Sequence, residues 1–338
     1  MKIYSYFNPE LPHAEGLFDD EWPVQFIREF AEFYKFFEED EVIILHDTAL
    51  NAYLPIRIIK RNLLRFGQIL HAPTSNREEL SIENQSLFFE KMMLFIEREK
   101  LVHRLEQPHP YGIMLAVPKG AKYCRFGTYI HDLETHTDES LLNSYDPKYK
   151  KAIQHSENNG GTVLFGWEQF EMFYYLYSTT SQRNNFYCNE KVYFEALYKY
   201  LGPEHIEVGV IYDKDKPVGA ILILYSKYAA LCTHAGSTGD TKLYGGMKHL
   251  HFEMMKHLKA KGVHRYDLVG MRINNKNPSL EGVFRFKKGF GGVLKEGYLW
   301  KAEIDIPRMK IYSFINNVRR GFKQNYPDII DQETLENK

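Results

Sequence analysis

The sequence predicts a mixed α/β (α+β) protein made of two units in tandem. Three observations carry this reading. At 338 residues the chain is longer than one ordinary hydrophobic core requires. Amphipathic helix patterns alternate with short apolar strand patterns along most of it. After Asn158-Asn-Gly-Gly161, a strong helix stop, the helix–strand pattern starts again. The passage between units falls within Leu141 to Gly161. The expected divisions are therefore residues 1–145, residues 146–306 and a C-terminal amphipathic helix at 307–338 packed back on the body. Each unit is expected to carry its own sheet.

In the first unit, Trp22 to Glu38 places Phe26, Phe30, Phe33 and Phe37 on one helix face, with Pro23 in the first turn. Glu41-Val-Ile-Ile-Leu45 reads as a buried strand. Tyr53 to His71 reads as two strands joined near Arg61-Asn62. A long helix is expected from Ser81 to Leu105, stopped by Pro108-His-Pro-Tyr-Gly112, with strands at Gly112 to Val117 and Lys122 to Leu133.

In the second unit, helices are expected at Glu168 to Thr179 and Glu190 to Leu201. Strands follow at Ile206 to Tyr212, Lys216 to Tyr225 and Tyr228 to Ala235, with a hairpin turn at Asp213-Lys-Asp215. A helix over Tyr244 to Lys261 carries the stripe Leu243, Met247, Leu250, Met254 and Leu258, and a strand occupies Tyr266 to Val269. Finally, Met309 to Tyr326 is an amphipathic helix with Phe314, Ile315, Val318 and Phe322 on one side and Lys310, Arg319, Arg320 and Lys323 making it basic. Such a helix docks on the body, or is drawn to an anionic membrane surface.

Composition bounds the function. Hydrophobic residues at 44% and charged residues at 26% are ordinary for a globular protein. Aromatic residues reach 15%, enough to line clefts as well as fill cores. A formal charge of −1 excludes the overall basic field of a dedicated nucleic-acid binder, though not a local basic surface. Cys124, Cys188 and Cys232 suggest neither a disulfide framework nor zinc spacing, and read as buried thiols of a reducing compartment. The N-terminal residues have no apolar signal core and no run is long enough to span a membrane, so a soluble, cytoplasmic protein is expected. His249, His251 and His257 share one helix, yet no two of them are four apart, the i,i+4 spacing of His249 and Glu253 is a weak signal, and no metal or cofactor is expected.

Chemistry concentrates in two segments, Gly262-Val-His-Arg-Tyr-Asp-Leu-Val-Gly270 and Phe286-Lys-Lys-Gly-Phe-Gly-Gly292. A lysine in an aromatic, glycine-rich pocket can place an ammonium where negative charge develops during acyl transfer. Glycine lets the backbone approach a substrate closely. If the second segment is extended, Phe284, Phe286 and Lys288 share one side and Arg285 and Lys287 the other. Arg183 offers a planar fork of donors to phosphate oxygens, or caps carbonyls at a helix end. Asp267 at a strand end is either a burial-tuned general base or a structural acceptor of backbone N–H groups. Residue types alone suggest an acyl-transfer or anion-binding site.

These segments, with Thr180-Ser-Gln-Arg183 ahead of Tyr193-Phe194, resemble the C-terminal half of the Fem (FemABX) family. Members of that family are bacterial transferases that build peptidoglycan cross-bridges with amino acids from aminoacyl-tRNA. The resemblance runs from Phe126-Gly-Thr-Tyr-Ile-His-Asp-Leu133 through Gly292. The order of elements in the second unit is similar to a GNAT-like acyltransferase core, and the first unit has a looser version of it. The resemblance thus implies two GNAT-like domains in tandem, and the chain has no room for the helical-hairpin arm of some members.

It further implies that Phe286 and Lys287 line the site, Lys287 stabilising the tetrahedral intermediate, and that Arg183 binds a substrate phosphate. Tyr244, Asp267 and Lys288 are the remaining candidate substrate contacts. The implied donor is aminoacyl-tRNA and the implied acceptor an amine of a peptidoglycan precursor. Two alternatives stay open: a GNAT-type N-acyltransferase with an acyl-CoA or acyl-carrier donor, and a catalytically degenerate double-GNAT binding protein. Lys242-Leu-Tyr-Gly-Gly-Met247 is a degenerate pyrophosphate loop, with Met247 where a small residue belongs, and argues against coenzyme A.

Overall fold

The computed structural model describes residues 1–238, 243–273, 278–319 and 328–336. Its first half runs β1 (Lys2–Ser5), α1 (Arg28–Phe36), β2 (Glu41–Asp47), β3 (Ala52–Arg61), β4 (Leu64–Ile69), the short β5 (Thr74–Ser75) and β6 (Glu78–Glu79), α2 (Ile82–Arg98), β7 (Arg104–Glu106) and β8 (Lys122–Asp132). The periodicity of Phe26 to Phe37 overstates α1, which begins only at Arg28. Upstream, Phe18, Trp22, Phe26 and Tyr53 pack ring on ring at 4.9–5.7 Å, and this packing holds Trp22 to Ile27 in turns. The α2 helix, capped by Ser81 Oγ, ends at Arg98 rather than reaching Leu105; Lys100, at φ +49°, turns the chain into β7. The strand expected over Gly112 to Val117 is absent. Between Pro110 and Pro118, which lack N–H donors, only Met114 bridges to Tyr298.

The second half runs α3 (Asp138–Asn143), α4 (Pro147–Asn158), β9 (Gly161–Phe165), α5 (Phe170–Asn184), α6 (Lys191–His205), β10 (Ile206–Asp213), β11 (Lys216–Tyr225), β12 (Ala230–Ser237), α7 (Gly246–Ala260), β13 (Arg265–Asp267), β14 (Met271–Arg272), α8 (Pro278–Lys288), β15 (Val293–Glu303), α9 (Ile306–Arg319) and α10 (Ile329–Glu336). Phe284 to Lys288 belongs to α8, so the alternating-strand reading of that segment is corrected. Successive residues there are turned about 100° apart, which leaves Lys287 facing inward and Lys288 exposed.

Strand order is β1-β2-β3-β4-β7-β15-β8-β13-β12-β11-β10-β9, an open sheet whose path is unbroken. In each half an antiparallel meander is followed by a helix and a parallel strand: β2–β3–β4, α2 and β7 in one, β10–β11–β12, α7 and β13 in the other. The next strand then crosses over. β8 pairs with β13, β15 pairs with β7, and β8 and β15 pair with each other from Val293↔Ile130 to Lys301↔Lys122. The expectation of a separate sheet in each unit is therefore corrected: β8 belongs to the first half by sequence and to the second by hydrogen bonding.

Cores follow the same plan. One cluster lies in each half, around Leu54, Phe88, Phe89 and Trp300 and around Ile221, Leu250, Met254 and Tyr266. A third joins Phe26, Phe30 and Phe33 to Phe173, Phe194 and Leu222 across the middle. The C-terminal α9 rests on the body through buried Met309 and through Tyr312, whose ring lies 5.6 Å from that of Phe66. Ile311, Phe314 and Ile315 are exposed, against the expectation of a packed apolar face. The side chains of Val318 and Arg319, and residues Arg320, Phe322 and Lys323, lie outside the described residues.

Candidate active site

β12 and β13 pair at only two positions, Ala230↔Tyr266 and Leu231↔Asp267. Beyond them β12 continues to Ser237 without β13, and the sheet splays open. A register shift lets Cys232 oppose Ile223 while His234 opposes Leu222, so Thr233 is the extra residue of a β-bulge. A bulge re-aims side chains beside a site, and here the consecutive Thr233 and His234 both line one cavity of about 370 Å³. Its other walls come from both halves: Tyr34 of α1, Arg57 of β3, His109 and Tyr111 of the proline-bounded loop, Asn189, Tyr193 of α6, and Val269. A largely aromatic cavity of this size at the junction of two halves is a usual place for a small ligand.

The polar groups of this cavity are held in place. Asn189 Nδ2 lies 3.1 Å from His234 Nε2, and His234 Nδ1 lies 3.0 Å from Thr233 Oγ1. If the amide donates to Nε2, the ring proton sits on Nδ1. Burial pulls the His234 imidazole down to about 4, so it is neutral at pH 7. His109 is likewise pulled to about 4 by burial and then by Arg57, and among the described residues its Nε2 has no hydrogen-bond partner. Arg57 is fixed by Asp40 at 2.6 Å and Glu38 at 3.0 Å, with its guanidinium 4.5 Å from the Tyr34 ring.

Val269, on the cavity wall, has φ +61°, a rare and strained conformation for a β-branched residue. Two side chains hold it there. Asp267 Oδ1 accepts the Val269 N–H at 2.6 Å, along with the Thr128 hydroxyl. Lys287 Nζ, reaching from α8, donates to Val269 O at 2.7 Å and Gly270 O at 3.1 Å. Burial lowers the Lys287 ammonium to about 8, offset in part by Cys232 and Asp267. Burial also raises the Asp267 carboxyl above the usual range. Lysine has three N–H donors; two serve these carbonyls and one remains. Lys287 is not among the side chains that line the cavity; it holds the carbonyls of a turn whose Val269 does.

The structure brings Asp267 and Lys287 together around this turn and scatters the other predicted residues. Phe286 packs on Phe290, His251 and Tyr149 at ring distances of 5.2–6.3 Å. Lys288 is exposed at the end of α8. Tyr244, 55% exposed, sits before α7 beside His155 and the Lys248 ammonium. Arg183, near the end of α5, donates through Nη1 and Nη2 to the Ser237 carbonyl, both at 3.1 Å, and so caps the end of β12. Lys242, the first residue of the proposed pyrophosphate loop, lies outside the described residues.

Sequence reasoning missed the cavity itself. Tyr34, Arg57, His109, Asn189 and His234 come from five separate stretches with no shared spacing, and only the high aromatic content hinted at such a lining. Among the described residues one group could hold a metal: ligand atoms of Glu157, His249 and Glu253 lie within 4.8 Å of one another. Glu253 is engaged by Lys256 at 2.7 Å, and His249 Nδ1 meets Ser156 Oγ at 3.1 Å. All three cysteine thiols are free. No described helix is long and apolar enough to cross a membrane.

Comparison with known proteins adds the lineage. The chain is similar in fold to FemX, with a TM-score of 0.62 at 14% identity over 84% of this chain and 93% of that one. It is also similar to the C-terminal domain of a putative lysylphosphatidylglycerol synthetase from Agrobacterium fabrum (TM-score 0.50, 14% identity, 80% and 88% covered). L-PGS from Bacillus licheniformis gives a TM-score of 0.50 at 13% identity, with 83% and 90% covered. At these identities the likeness speaks for the fold alone, a mixed α/β architecture with an open sheet. No curated protein sequence matches. The FemAB family model matches residues 121–212 and 204–298, a continuous stretch longer than half of the chain that holds β12, the strained turn and Lys287, and the chain therefore belongs to the FemAB family.

Proposed function

We propose that the protein is an aminoacyltransferase that moves an amino acid from aminoacyl-tRNA to an amine of a peptidoglycan precursor. The observation that carries this reading is the buried Lys287 ammonium, fixed on the Val269–Gly270 carbonyls beside an aromatic cavity. In the reaction the acceptor amine attacks the ester carbonyl, a C–N bond forms, and the negative charge passes to the carbonyl oxygen. The remaining Lys287 N–H is the donor to that oxyanion, already charged and already held, so little reorganisation is needed. Collapse breaks the ester C–O bond, and the ribose hydroxyl leaves with the proton lost by the amine.

In this reading the cavity holds the aminoacyl side chain, neutral His234 and Asn189 giving it polar contacts, and Arg183 turns its remaining N–H groups to a substrate phosphate. Asp267 takes the structural part: it accepts the Val269 N–H and shapes the turn, and no proton transfer is asked of it. Phe286 packs the base of α8, which aims Lys287.

A donor screen on the purified protein tests the proposal. Charged tRNA pools and acyl-CoAs are offered in parallel with a muropeptide acceptor, and product is read by mass. Transfer from charged tRNA is expected. Transfer only from acyl-CoA, or calorimetry showing a micromolar dissociation constant for acetyl-CoA, about −8 kcal/mol, would replace it with the acyl-CoA reading.

A further inference from the structure

Away from the cavity, the tip of the β3–β4 hairpin and the outer side of α9 form a surface that neither the fold nor the proposed reaction uses. At the tip, Leu63 is 93% exposed between Arg61, Asn62 and Leu64. On α9, Ile311 and Phe314 are 61% and 68% exposed, and Ile315 beside them is 43% exposed. The two elements are joined by the Tyr312–Phe66 ring contact and enclose an open groove of about 1,050 Å³ lined by Leu63, Leu64, Ile311 and Ile315, with Arg61 and Arg308 among its walls. Large apolar side chains gathered at one place and left in water mark an interaction surface.

Charge says what kind. Lys60, Arg61 and Arg65 flank the tip, and Arg308 and Lys310 lie on α9. Arg308 is partly compensated by Asp305 at 3.4 Å, and Arg65 is tied to the Lys100 carbonyl. Lys60, Arg61 and Lys310 have no ion pair among the described residues and are exposed. In a chain whose formal charge is −1, this is a local excess rather than a reflection of a basic protein. A second copy docking face to face would set these cations against each other, so self-association is disfavoured. Exposed Leu, Ile and Phe ringed by Lys and Arg is the pattern of a surface that inserts apolar side chains at the acyl boundary while its cations meet anionic headgroups.

We propose that the β3–β4 tip and α9 together form a docking surface for an anionic phospholipid bilayer. Arg61, Lys60 and Lys310 meet the headgroup phosphates, and Leu63, Ile311 and Phe314 enter the interface. Neither element alone has enough: one leucine at a hairpin tip, or one short helix face, is a weak anchor, and the groove between them makes the pair continuous.

Flotation of the full chain with vesicles tests this. Vesicles of phosphatidylcholine alone are compared with vesicles that also contain phosphatidylglycerol, at low and high salt. Binding is expected only to the anionic vesicles, and weaker at high salt because screening shortens the reach of the cations. Arg61→Ala and Lys310→Ala should each weaken it roughly five-fold, and Leu63→Ser with Phe314→Ser roughly ten-fold or more. Because these side chains are exposed, the melting temperature should not move, which separates lost docking from lost folding. Equal binding to both vesicle types, no binding to either, or binding unchanged in the variants would each overturn the proposal. So would a dimer in sedimentation velocity that Phe314→Ser dissolves.

Discussion

In the proposed reaction Lys287 is the oxyanion donor, and this role can be tested in two ways. Lys287→Ala removes the oxyanion donor and should lower kcat by roughly 10²–10³-fold, with little change in acceptor affinity. Lys288→Ala, next in sequence but exposed, should do far less. Steady-state kinetics with circular dichroism as the folding check separates them, and equal small losses would remove Lys287 from the mechanism. The second test uses pH. Lys287 is pulled to about 8 in the folded protein, below its unfolded value, so between these values the unfolded chain binds more protons and stability rises with pH. The cost of burying the charged form is fully present below about pH 8 and fades above it. Relative to Lys287→Met, the wild type should therefore gain roughly 2–3 kcal/mol between pH 7 and pH 10, read from urea unfolding at each pH. A pH-independent gap would mean the ammonium is not buried as described. Activity should fall over the same range, as the cationic donor loses its proton.

Among the elements, α7 depends most on one backbone conformation. Gly245 opens it at φ +88°, and a Cβ there would run into the Ala152 carbonyl oxygen of α4. Both terms act against any other residue: the left-handed conformation costs about 1–2 kcal/mol and overpacking a further 1–3 kcal/mol or so. Gly245→Ala should destabilise the protein by about 2–5 kcal/mol in equilibrium urea unfolding. Gly282→Ala, inside α8 with nothing near its Cβ, is the control and should stabilise the protein slightly, by about 0.5–1 kcal/mol. If Gly245→Ala is tolerated, α4 and α7 are not packed as closely as this. Elements like α7 were legible from the sequence because their stripe, Leu250, Met254 and Leu258, is buried as its spacing implies. α8 was not: the aromatic and basic residues of Phe284 to Lys288 carry no period that distinguishes strand from helix over five residues, and the Lys287 contacts to Val269 and Gly270 fix its orientation.

For the whole molecule, the crossing of β8 and β15 makes one cooperative unit from two halves. We expect a single urea transition in which near-UV and far-UV signals coincide, and no cooperative transition from residues 1–145 alone, because β8 would lose both β13 and β15. Two separated transitions would show that the halves fold independently. The division at residue 145 thus remains a proposal about sequence units, while the sheet ignores it. What the sequence determined by itself is local: the meanders of β2–β4 and β10–β12, the α7 stripe, the stop at Asn159-Gly160, and the residue types that resemble the Fem family. Periodicity and turn chemistry act over a few residues and can be read there. The continuous sheet, the cavity shared by Tyr34, Arg57, His109, Asn189 and His234, and the exposed side of α9 were decided only in three dimensions. They depend on which strand edges meet after crossover and on side chains more than a hundred residues apart, and no local pattern encodes such partners.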